Sequence, residues 1–109
     1  MATNYKVLGQ SNPAATTATT LYTVPASTQA VVSTIVIANL TNSNATFRIA
    51  CRVAGATLAN SQYVAYDVTV GASDSTALTL GITLGATDVI TVYASSANLT
   101  FTAFGSEIS

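Results

Sequence analysis

The sequence predicts an all-β protein: a single antiparallel β-sandwich of about eight short strands that spans residues 1–109. Its composition is rich in Thr, Ser, Val and Ala, which suits pleated strands with small side chains. Apolar residues recur with a period of two, and turn-forming residues interrupt this pattern about every 8–12 residues. A chain of 109 residues is long enough for one core and too short for two. Because strand order is invisible in the sequence, jelly-roll and immunoglobulin-like topologies both remain open.

The N-terminal quarter of the chain is predicted to be extended. Residues 5–8 have the pattern of a short first strand, and the turn formers at residues 9–13 end it. Residues 14–24 are rich in Thr, and Pro25 closes them because proline cannot donate to an interior ladder. We expect an edge strand here, or an extended arm over about residues 1–24 that adds to the sheet of a neighbouring chain.

Residues 30–53 are predicted to form the core hairpin. Residues 30–38 are apolar on both faces, as is typical of a central strand, whereas residues 46–53 alternate. The turn-rich residues 39–45 connect these two strands, so we expect the strands to pair directly. The pattern places Val31, Ile35 and Ile37 on one face of the first strand, Val32, Val36 and Ala38 on its other face, and Phe47, Ile49, Cys51 and Val53 on the inner face of the second.

The C-terminal half contains four further strand patterns. Residues 78–84 alternate between apolar and polar side chains four times, which predicts a half-buried strand that Gly81 bends or bulges. Residues 89–94 and 99–104 flank a short turn and are predicted to be a terminal hairpin. Within residues 63–70, alternation places Val64, Tyr66, Val68 and Val70 on one side and Tyr63, Ala65 and Asp67 on the other.

The chain carries unusually little charge. Only 6% of its residues are charged, against about 25% in ordinary soluble domains. Its net charge is −1 and its pI is about 4.7, so the basic stripe that nucleic-acid binding requires is missing from the sequence. A surface of low charge gives little colloidal repulsion. We therefore expect assembly with further copies of the chain or with a larger object, and not binding to nucleic acid.

The sequence offers no catalytic or metal-binding motif. Its acidic residues, Asp67, Asp74, Asp88 and Glu107, are far apart in sequence, and there is no histidine. Cys51 is the single cysteine, which excludes a disulfide within the chain. We interpret Asp74 and Asp88 as turn residues, since a calcium site usually takes several acids from one short loop. We expect no enzyme, no cofactor and no metal site.

Neither secretion nor membrane insertion is predicted. Residues 1–6 lack the apolar core of a signal peptide, and no apolar run approaches the 18 residues of a membrane helix. We expect the protein to be made in a cytoplasm and to stay soluble. The glycosylation sequons at Asn39, Asn44 and Asn98 are expected by chance in a chain so rich in Asn, Ser and Thr.

Two arginines and two tyrosines are the candidate partner-contact residues. Arg48 and Arg52 lie four apart on a predicted strand, so they point the same way at a spacing of about 13 Å. They are candidate anchors for carboxylates of a partner. A solvated face, or an ion pair with Asp67, is the alternative.

Tyr63 and Tyr66 form the nearest tyrosine pair and suit a sugar- or protein-binding patch. Because residues three apart on a strand face opposite sides, a core role for either is equally open.

Nearly the whole sequence from Tyr5 onward resembles a family of small virion structural proteins of tailed bacteriophages, cyanophages among them. The match is a strand-by-strand pattern and not a catalytic signature. Cys51 and Val53 stand where Val and Pro are common in that family. The matching segments are LYTVPASTQAVVSTIVIAN (residues 21–39), FRIACRVAGATLA (47–59), YVAYDVTV (63–70), DSTALTLGITLGATDVITVYAS (74–95) and LTFTAFGSEI (99–108).

This resemblance implies a capsid decoration, or cement, protein on the capsid exterior. Such a protein is expected to be a homotrimer that clamps neighbouring major capsid subunits, and many weak contacts at symmetric sites together oppose the pressure of packaged DNA. Arg48, Arg52 and residues 14–24 are the expected contacts. The alternative is a tail or fibre component that presents its loops, residues 39–45 and 54–60, to a host-surface glycan or to other tail proteins.

Overall fold

A computed structural model, which describes residues 2–109, shows that the protein is an antiparallel β-sandwich. The strands are β1 (Thr3–Ser11), β2 (Thr19–Thr23), β3 (Gln29–Asn39), β4 (Ala45–Arg52), β5 (Tyr63–Val70), β6 (Ser75–Leu78), β7 (Ile82–Leu84), β8 (Val89–Ala94) and β9 (Leu99–Ile108). Sheet A has the strand order β1, β9, β3, β6, with β7 also paired to β3, and sheet B has the order β2, β8, β4, β5. The all-β prediction is confirmed.

Helical structure in residues 2–109 is limited to two short 3-10 turns, Val53–Gly55 and Asn60–Gln62, in the connection between β4 and β5. No helix in this part of the chain is long and apolar enough to cross a membrane.

The strand order is that of a jelly roll. The short strands β6 and β7 lie end to end along β3, pairing with residues 35–38 and 30–32, so together they occupy one position in sheet A. Each sheet therefore has four positions, and the chain changes sheet at most of its connections. In the described residues only β4 and β5 are sequence neighbours that also pair with each other. An immunoglobulin-like sandwich pairs more of its consecutive strands, so the topology that the sequence left open is settled.

Both predicted hairpins are wrong. Strands β3 and β4 lie in opposite sheets, where β3 pairs with β6, β7 and β9 while β4 pairs with β5 and β8. Strands β8 and β9 are likewise separated, in sheets B and A. The strands themselves were identified correctly from their alternation. A sandwich has two inner faces of the same apolar character, so alternation cannot tell whether a short loop turns within one sheet or crosses to the other.

The loop that crosses from β3 to β4 is held by a buried side chain, Asn39, which is 4% exposed. Its Nδ2 donates to the carbonyl oxygens of Ser43, at 2.8 Å, and of Gly71 and Val70, at 3.2 and 3.3 Å. Its Oδ1 accepts from the backbone N–H of Thr41 at 3.0 Å. One amide thus fastens this loop to the turn between β5 and β6. The sequence presented Asn39 as a loop residue and a chance sequon, with no sign of these hydrogen bonds.

The predicted faces of β3 are wrong in its first half, although its central position is confirmed. A register shift between Val32 and Thr34 places one extra residue against β9. Val32 and Ile35 are therefore both buried, and Val31 lies on the outer face, away from Ile35. The opposing residue on β9 is Gly105, where an added Cβ would lie 2.0 Å from the Val31 carbonyl oxygen. The bulge thus requires glycine at this position.

The inward alternation of β4 ends earlier than predicted. Phe47 and Ile49 are fully buried, as expected, and the ring of Phe47 meets the ring of Phe101 edge to face at 6.1 Å in the core between the sheets. Ala50, predicted to face outward, is also buried. Val53, predicted to be inside, is 71% exposed because it lies beyond β4, in the first 3-10 turn.

The predicted strand over residues 78–84 is interrupted. Residues 79–81 pair with no strand in the described chain, and Gly81 has a φ of +63°. This gap follows from the bulge in β3, because β6 and β7 pair with β3 on either side of it. Leu80 is therefore exposed, whereas Leu84 is buried as the alternation predicted.

The N-terminal segment belongs to the sandwich. Strand β1 is longer than predicted, runs through part of the expected turn at residues 9–13, and pairs along its length with β9 of the same chain. Strand β2 lies at the edge of sheet B, as the edge-strand alternative predicted, and Leu21 and Val24 are buried in the core. In the described residues, the expected arm over about residues 1–24 is thus a pair of strands within the monomer.

Candidate interaction surface

The outer face of sheet B carries an arginine held between two tyrosine rings. The guanidinium carbon of Arg48 lies 4.2 Å from the centre of the Tyr66 ring and 4.4 Å from that of Tyr93. Its Nε and Nη2 donate to the two carboxylate oxygens of Asp67 at 2.7 and 3.3 Å. Tyr63 meets Tyr66 edge to face, with ring centres 5.0 Å apart. We call these five residues the aromatic–arginine cluster.

A β-bulge in β5 builds this cluster. Between the positions that flank Arg48, β5 has one residue more than β4, so Tyr66 and Asp67 both oppose Arg48. Asp67 occupies the extra position with a φ of +50°. On the other side of β4, Tyr93 of β8 lies directly opposite Arg48. The two strands that flank β4 therefore bring three side chains, those of Tyr66, Asp67 and Tyr93, to one guanidinium group.

The same bulge overturns the predicted faces of β5. Val64 and Tyr66 are exposed, whereas Val68 packs against the core and Val70 is buried, so these four residues do not share one side. The alternation changes sides at Asp67. A second register shift between β4 and β5, near Tyr63, lets the rings of Tyr63 and Tyr66 meet although simple alternation would separate them.

The charge of Arg48 is balanced inside the cluster. Hydrogen bonding to Asp67 raises the pKa of the Arg48 guanidinium above its usual range. The Arg48 side chain is 24% exposed and that of Asp67 is 47% exposed. The ion pair within the domain, which the sequence left as an alternative, is thus what the structure contains. Arg48 offers a partner a stacked, neutralised surface in place of a free cation.

Arg52 is engaged separately, in the connection that follows β4. Its Nε donates to the carbonyl oxygen of Ala56 at 2.6 Å, its Nη2 to that of Gly55 at 2.9 Å, and its Nη1 to Thr91 Oγ1 at 3.4 Å. Arg52 thus holds the first 3-10 turn against β8. The two arginines have no bonding partner in common, and each is engaged by groups of its own chain.

An open cavity of about 400 Å³ lies beside the aromatic–arginine cluster, lined by Asn60, Tyr63 and Tyr66. Tyr66 is more than half exposed, and Asn60 begins the second 3-10 turn. The cavity thus offers two aromatic rings and one side-chain amide to a ligand. Sequence reasoning found both tyrosines and the loop that contains Asn60, but missed Tyr93 and the meeting of Asn60 with the tyrosines, because these depend on the strand register and the loop path.

The outer face of sheet A has a second surface, which we call the apolar groove. It occupies about 630 Å³ and lies across β1, β9 and β3. Tyr5 is 85% exposed, and Val7 and Phe104 are also exposed. Sequence analysis placed these residues on strands without identifying a surface, since their alignment depends on the register of three strands. The lining residues are Tyr5, Lys6, Val7, Val31, Ser33, Phe104, Gly105 and Ser106.

A polar cluster joins the two sheets near one end of the sandwich. The Tyr22 hydroxyl of β2 donates to Glu107 Oε2 of β9 at 2.5 Å, and Lys6 Nζ of β1 lies 2.9 Å from Oε1. The hydrogen bond from Tyr22 and then the one from Lys6 hold the pKa of Glu107 below its usual range. Burial, with the Glu107 carboxylate, raises the pKa of Tyr22. Nothing in the sequence links these residues, which are far apart along the chain.

The other acids take the turn roles that the sequence predicted. Asp74 Oδ1 accepts from the N–H of Ser75 at 2.8 Å, and Asp88 accepts from Gly85 N–H at 2.9 Å and Ala54 N–H at 2.8 Å. Within residues 2–109, no group of three or more His, Cys, Asp or Glu side chains is placed to hold a metal ion. Cys51 is half-buried, and burial raises the pKa of its thiol.

Comparison with protein-family models, curated proteins and solved structures finds no match to this chain.

Proposed function

We propose that this protein is a phage capsid decoration protein, a non-enzymatic virion component that binds the assembled major capsid lattice from outside. The observation that carries the proposal is the aromatic–arginine cluster. Tyr and Arg are the residue types that dominate binding energy at protein interfaces. In this cluster their side chains are already fixed by stacking and by the Arg48–Asp67 pair. A surface ordered in this way loses little conformational entropy on binding.

The electrostatics of the cluster suit a lattice of identical neutral contacts. Because Arg48 is neutralised by Asp67 and stacked on Tyr66 and Tyr93, the exposed parts of the tyrosine rings supply the apolar contact. Such a contact is modest on its own. Repeated at symmetric positions, it becomes strong through multivalency. The resemblance in sequence adds the trimeric assembly, the major capsid protein as partner, synthesis in the host cytoplasm and a final location on the virion.

The proposal is tested by adding purified protein back to virus particles that lack it. We expect about one bound copy per capsid subunit, because a decoration protein occupies every equivalent position of the lattice, and we expect particles that resist heat and osmotic shock better than before. Tyr66→Ala should reduce the bound copies strongly. The matched control is Leu40→Ala, which removes an exposed apolar side chain from the loop between β3 and β4. A stoichiometry of only a few copies per particle would contradict decoration.

A second candidate function is a tail or fibre component that binds a host-surface glycan. The cavity beside Tyr63 and Tyr66 favours it, because a tyrosine ring stacks on the apolar face of a sugar while the Asn60 amide can bond to a hydroxyl. Titration with host-surface oligosaccharides, followed by NMR, should then shift the Tyr63 and Tyr66 ring signals. Saturable shifts that Tyr66→Ala abolishes would favour this function over decoration.

A further inference from the structure

The two sheets expose four edge positions, and three of them are protected against pairing with another strand. Strand β2 is only five residues long and is followed by Pro25. Strand β5 has two register shifts and carries Asp67. The edge formed by β6 and β7 is interrupted at residues 79–81. Short length, proline, bulges, charge and interruption are the means by which natural sheets avoid adding strands.

The fourth edge, β1, lacks these protections over residues 3–7. Strand β1 is nine residues long, and all of residues 3–7 are exposed. Its register shift comes only after Val7. The single charged residue in this segment, Lys6, has its Nζ 2.9 Å from Glu107 of the same chain. Among residues 2–109, no strand pairs with the outer side of β1.

The hydrogen bonding of β1 to β9 shows which backbone groups of this edge are free. Ala2 and Ser109 exchange both of their N–H to carbonyl bonds, at 2.8 and 3.0 Å. In an antiparallel pair such positions alternate, so the backbone groups of Asn4 and Lys6 also face β9. Those of Thr3, Tyr5 and Val7 therefore face away from the sheet, where a further strand would meet them.

We propose that β1 pairs antiparallel with β1 of a second copy of this chain, about a twofold axis at Tyr5. This register sets Tyr5 opposite the partner's Tyr5 and Thr3 opposite the partner's Val7. The residues with outward backbone groups then face each other, and each such pair exchanges two hydrogen bonds. The contact is isologous, so it closes as a dimer and leaves β1 without a free edge.

Charge and side-chain chemistry select this register. They also favour a second copy of this chain as the source of the strand that pairs with β1. With Tyr5 on the axis, Lys6 faces the partner's Asn4. A register shifted to an axis at Lys6 would set Lys6 against the partner's Lys6, and one shifted to an axis at Asn4 would leave Val7 outside the pairs formed by residues 3–7. The two Tyr5 rings become cross-strand neighbours on the outer face, an arrangement that stabilises sheets. They also join the two apolar grooves into one surface, so the partner's ring covers part of Tyr5, which is 85% exposed in the monomer.

This inference does not rest on capsid binding. It assigns a twofold contact to sheet A, on the opposite side of the sandwich from the aromatic–arginine cluster. A trimer, which the sequence resemblance implies, would have to form through another surface. The mass of the protein in solution therefore separates the two assemblies.

The first test is sedimentation equilibrium of the full chain over a dilution series from about 1 mM to about 1 μM. We expect a reversible dimer at twice the 11.0 kDa chain mass. Tyr5→Pro removes an N–H that faces away from β9, and Tyr5→Lys sets two charges opposite each other on the axis. Both variants should be monomers with unchanged circular dichroism. Leu40→Lys, a charge at another exposed apolar position, should still dimerise.

A wild-type chain that is monomeric throughout, or a trimer or dimer that persists in both Tyr5 variants, would overturn the proposal. The second test fixes the register by cross-linking in a Cys51→Ser background, which removes the native thiol. Tyr5→Cys places two Cα atoms about 5.5 Å apart, within the range of a disulfide. Asn4→Cys leaves the pair about 7–8 Å apart. Equal cross-linking of the two variants would overturn the assigned register.

Discussion

The outer faces of the two sheets differ in how their side chains are used. On sheet B, Arg48 is stacked and paired, so the aromatic–arginine cluster is ordered before any partner arrives. On sheet A, Tyr5 and Phe104 are exposed, and the adjoining edge of β1 has free backbone groups. The two faces belong to one jelly roll and differ mainly in where their bulges lie. A bulge beside a charged residue built a side-chain cluster, whereas the part of β1 that precedes its bulge, residues 3–7, is available for pairing.

The bulge that shapes sheet A gives the largest expected effect. Gly105→Ala places a Cβ 2.0 Å from the backbone oxygen of Val31, and a backbone atom in a central strand cannot move aside easily. We expect a loss of about 3 kcal/mol or more in the free energy of unfolding, measured by urea denaturation. The control is Gly71→Ala, whose added Cβ meets nothing closer than 3.8 Å. It should change stability by less than about 0.5 kcal/mol. Equal stability of the two variants would contradict the bulge argument.

Asn39 lies where the chain passes from sheet A to sheet B, and its side-chain amide holds the loop that makes this connection. In Asn39→Leu the new side chain has a similar volume, but it makes none of the hydrogen bonds that the Asn39 amide forms with three carbonyl oxygens and one backbone N–H. We expect destabilisation of about 2 kcal/mol, since those backbone groups stay buried without partners. Asn98→Leu, at an exposed position, is the matched control in the same thermal or urea unfolding series. A similar loss in both variants would show that Asn39 does not act through burial.

The polar cluster between the sheets predicts the acid sensitivity of the sandwich. Hydrogen bonds from Tyr22 and Lys6 lower the pKa of Glu107 in the folded state, so the folded state favours the carboxylate. Its stabilising contribution is therefore present above the unfolded pKa, about 4.3, and is lost as the pH falls below it through the folded pKa. Glu107→Gln should be less stable than the wild type at pH 7, and the difference should shrink towards pH 3.

The measurement is urea denaturation of both proteins from pH 7 to pH 3. Tyr22→Phe removes the hydrogen bond that lowers the Glu107 pKa most, while the contact with Lys6 remains. The free energy of unfolding of this variant should therefore depend less on pH. A Glu107→Gln variant that keeps the acid dependence of the wild type would show that Glu107 does not join the sheets in this way.

The smallest effect on stability is expected at the aromatic–arginine cluster, because it lies on the surface of sheet B. Arg48→Lys keeps the charge but loses the two-point bond to Asp67 and the planar stacking on Tyr66. The melting temperature should change little, whereas binding to capsids in the add-back experiment should fall. Unchanged binding would remove the cluster from the proposed contact surface. Unchanged dimer mass in this variant is expected, since sheet A carries the twofold contact.

The sequence predicted the strands well and the pairing poorly. Alternation located Phe47 and Ile49 in the core and β3 at the centre of a sheet. It failed at Val31 and at residues 64–70, where a bulge moves the following side chains to the other face. A bulge is a property of two paired strands, so one strand's pattern does not reveal it.

The candidate site shows the same division. The sequence singled out Arg48, Tyr63 and Tyr66, which the structure gathers into one cluster, and also Arg52, which it places elsewhere. Tyr93 enters the cluster only through the register of β8 against β4. Residue type and spacing suggest which side chains make contacts, whereas strand register decides which of them meet.

By itself, the sequence determined an all-β chain with a low-charge surface, because side-chain alternation and charge are local properties that every fold of the chain retains. The tertiary structure alone decided the jelly-roll order, the meeting of Tyr22 with Glu107, and the unprotected edge at residues 3–7 of β1. These features depend on contacts between residues distant in the chain. Two apolar inner faces accept the same strands equally well, so only the packing of all the strands together selects among the possible pairings.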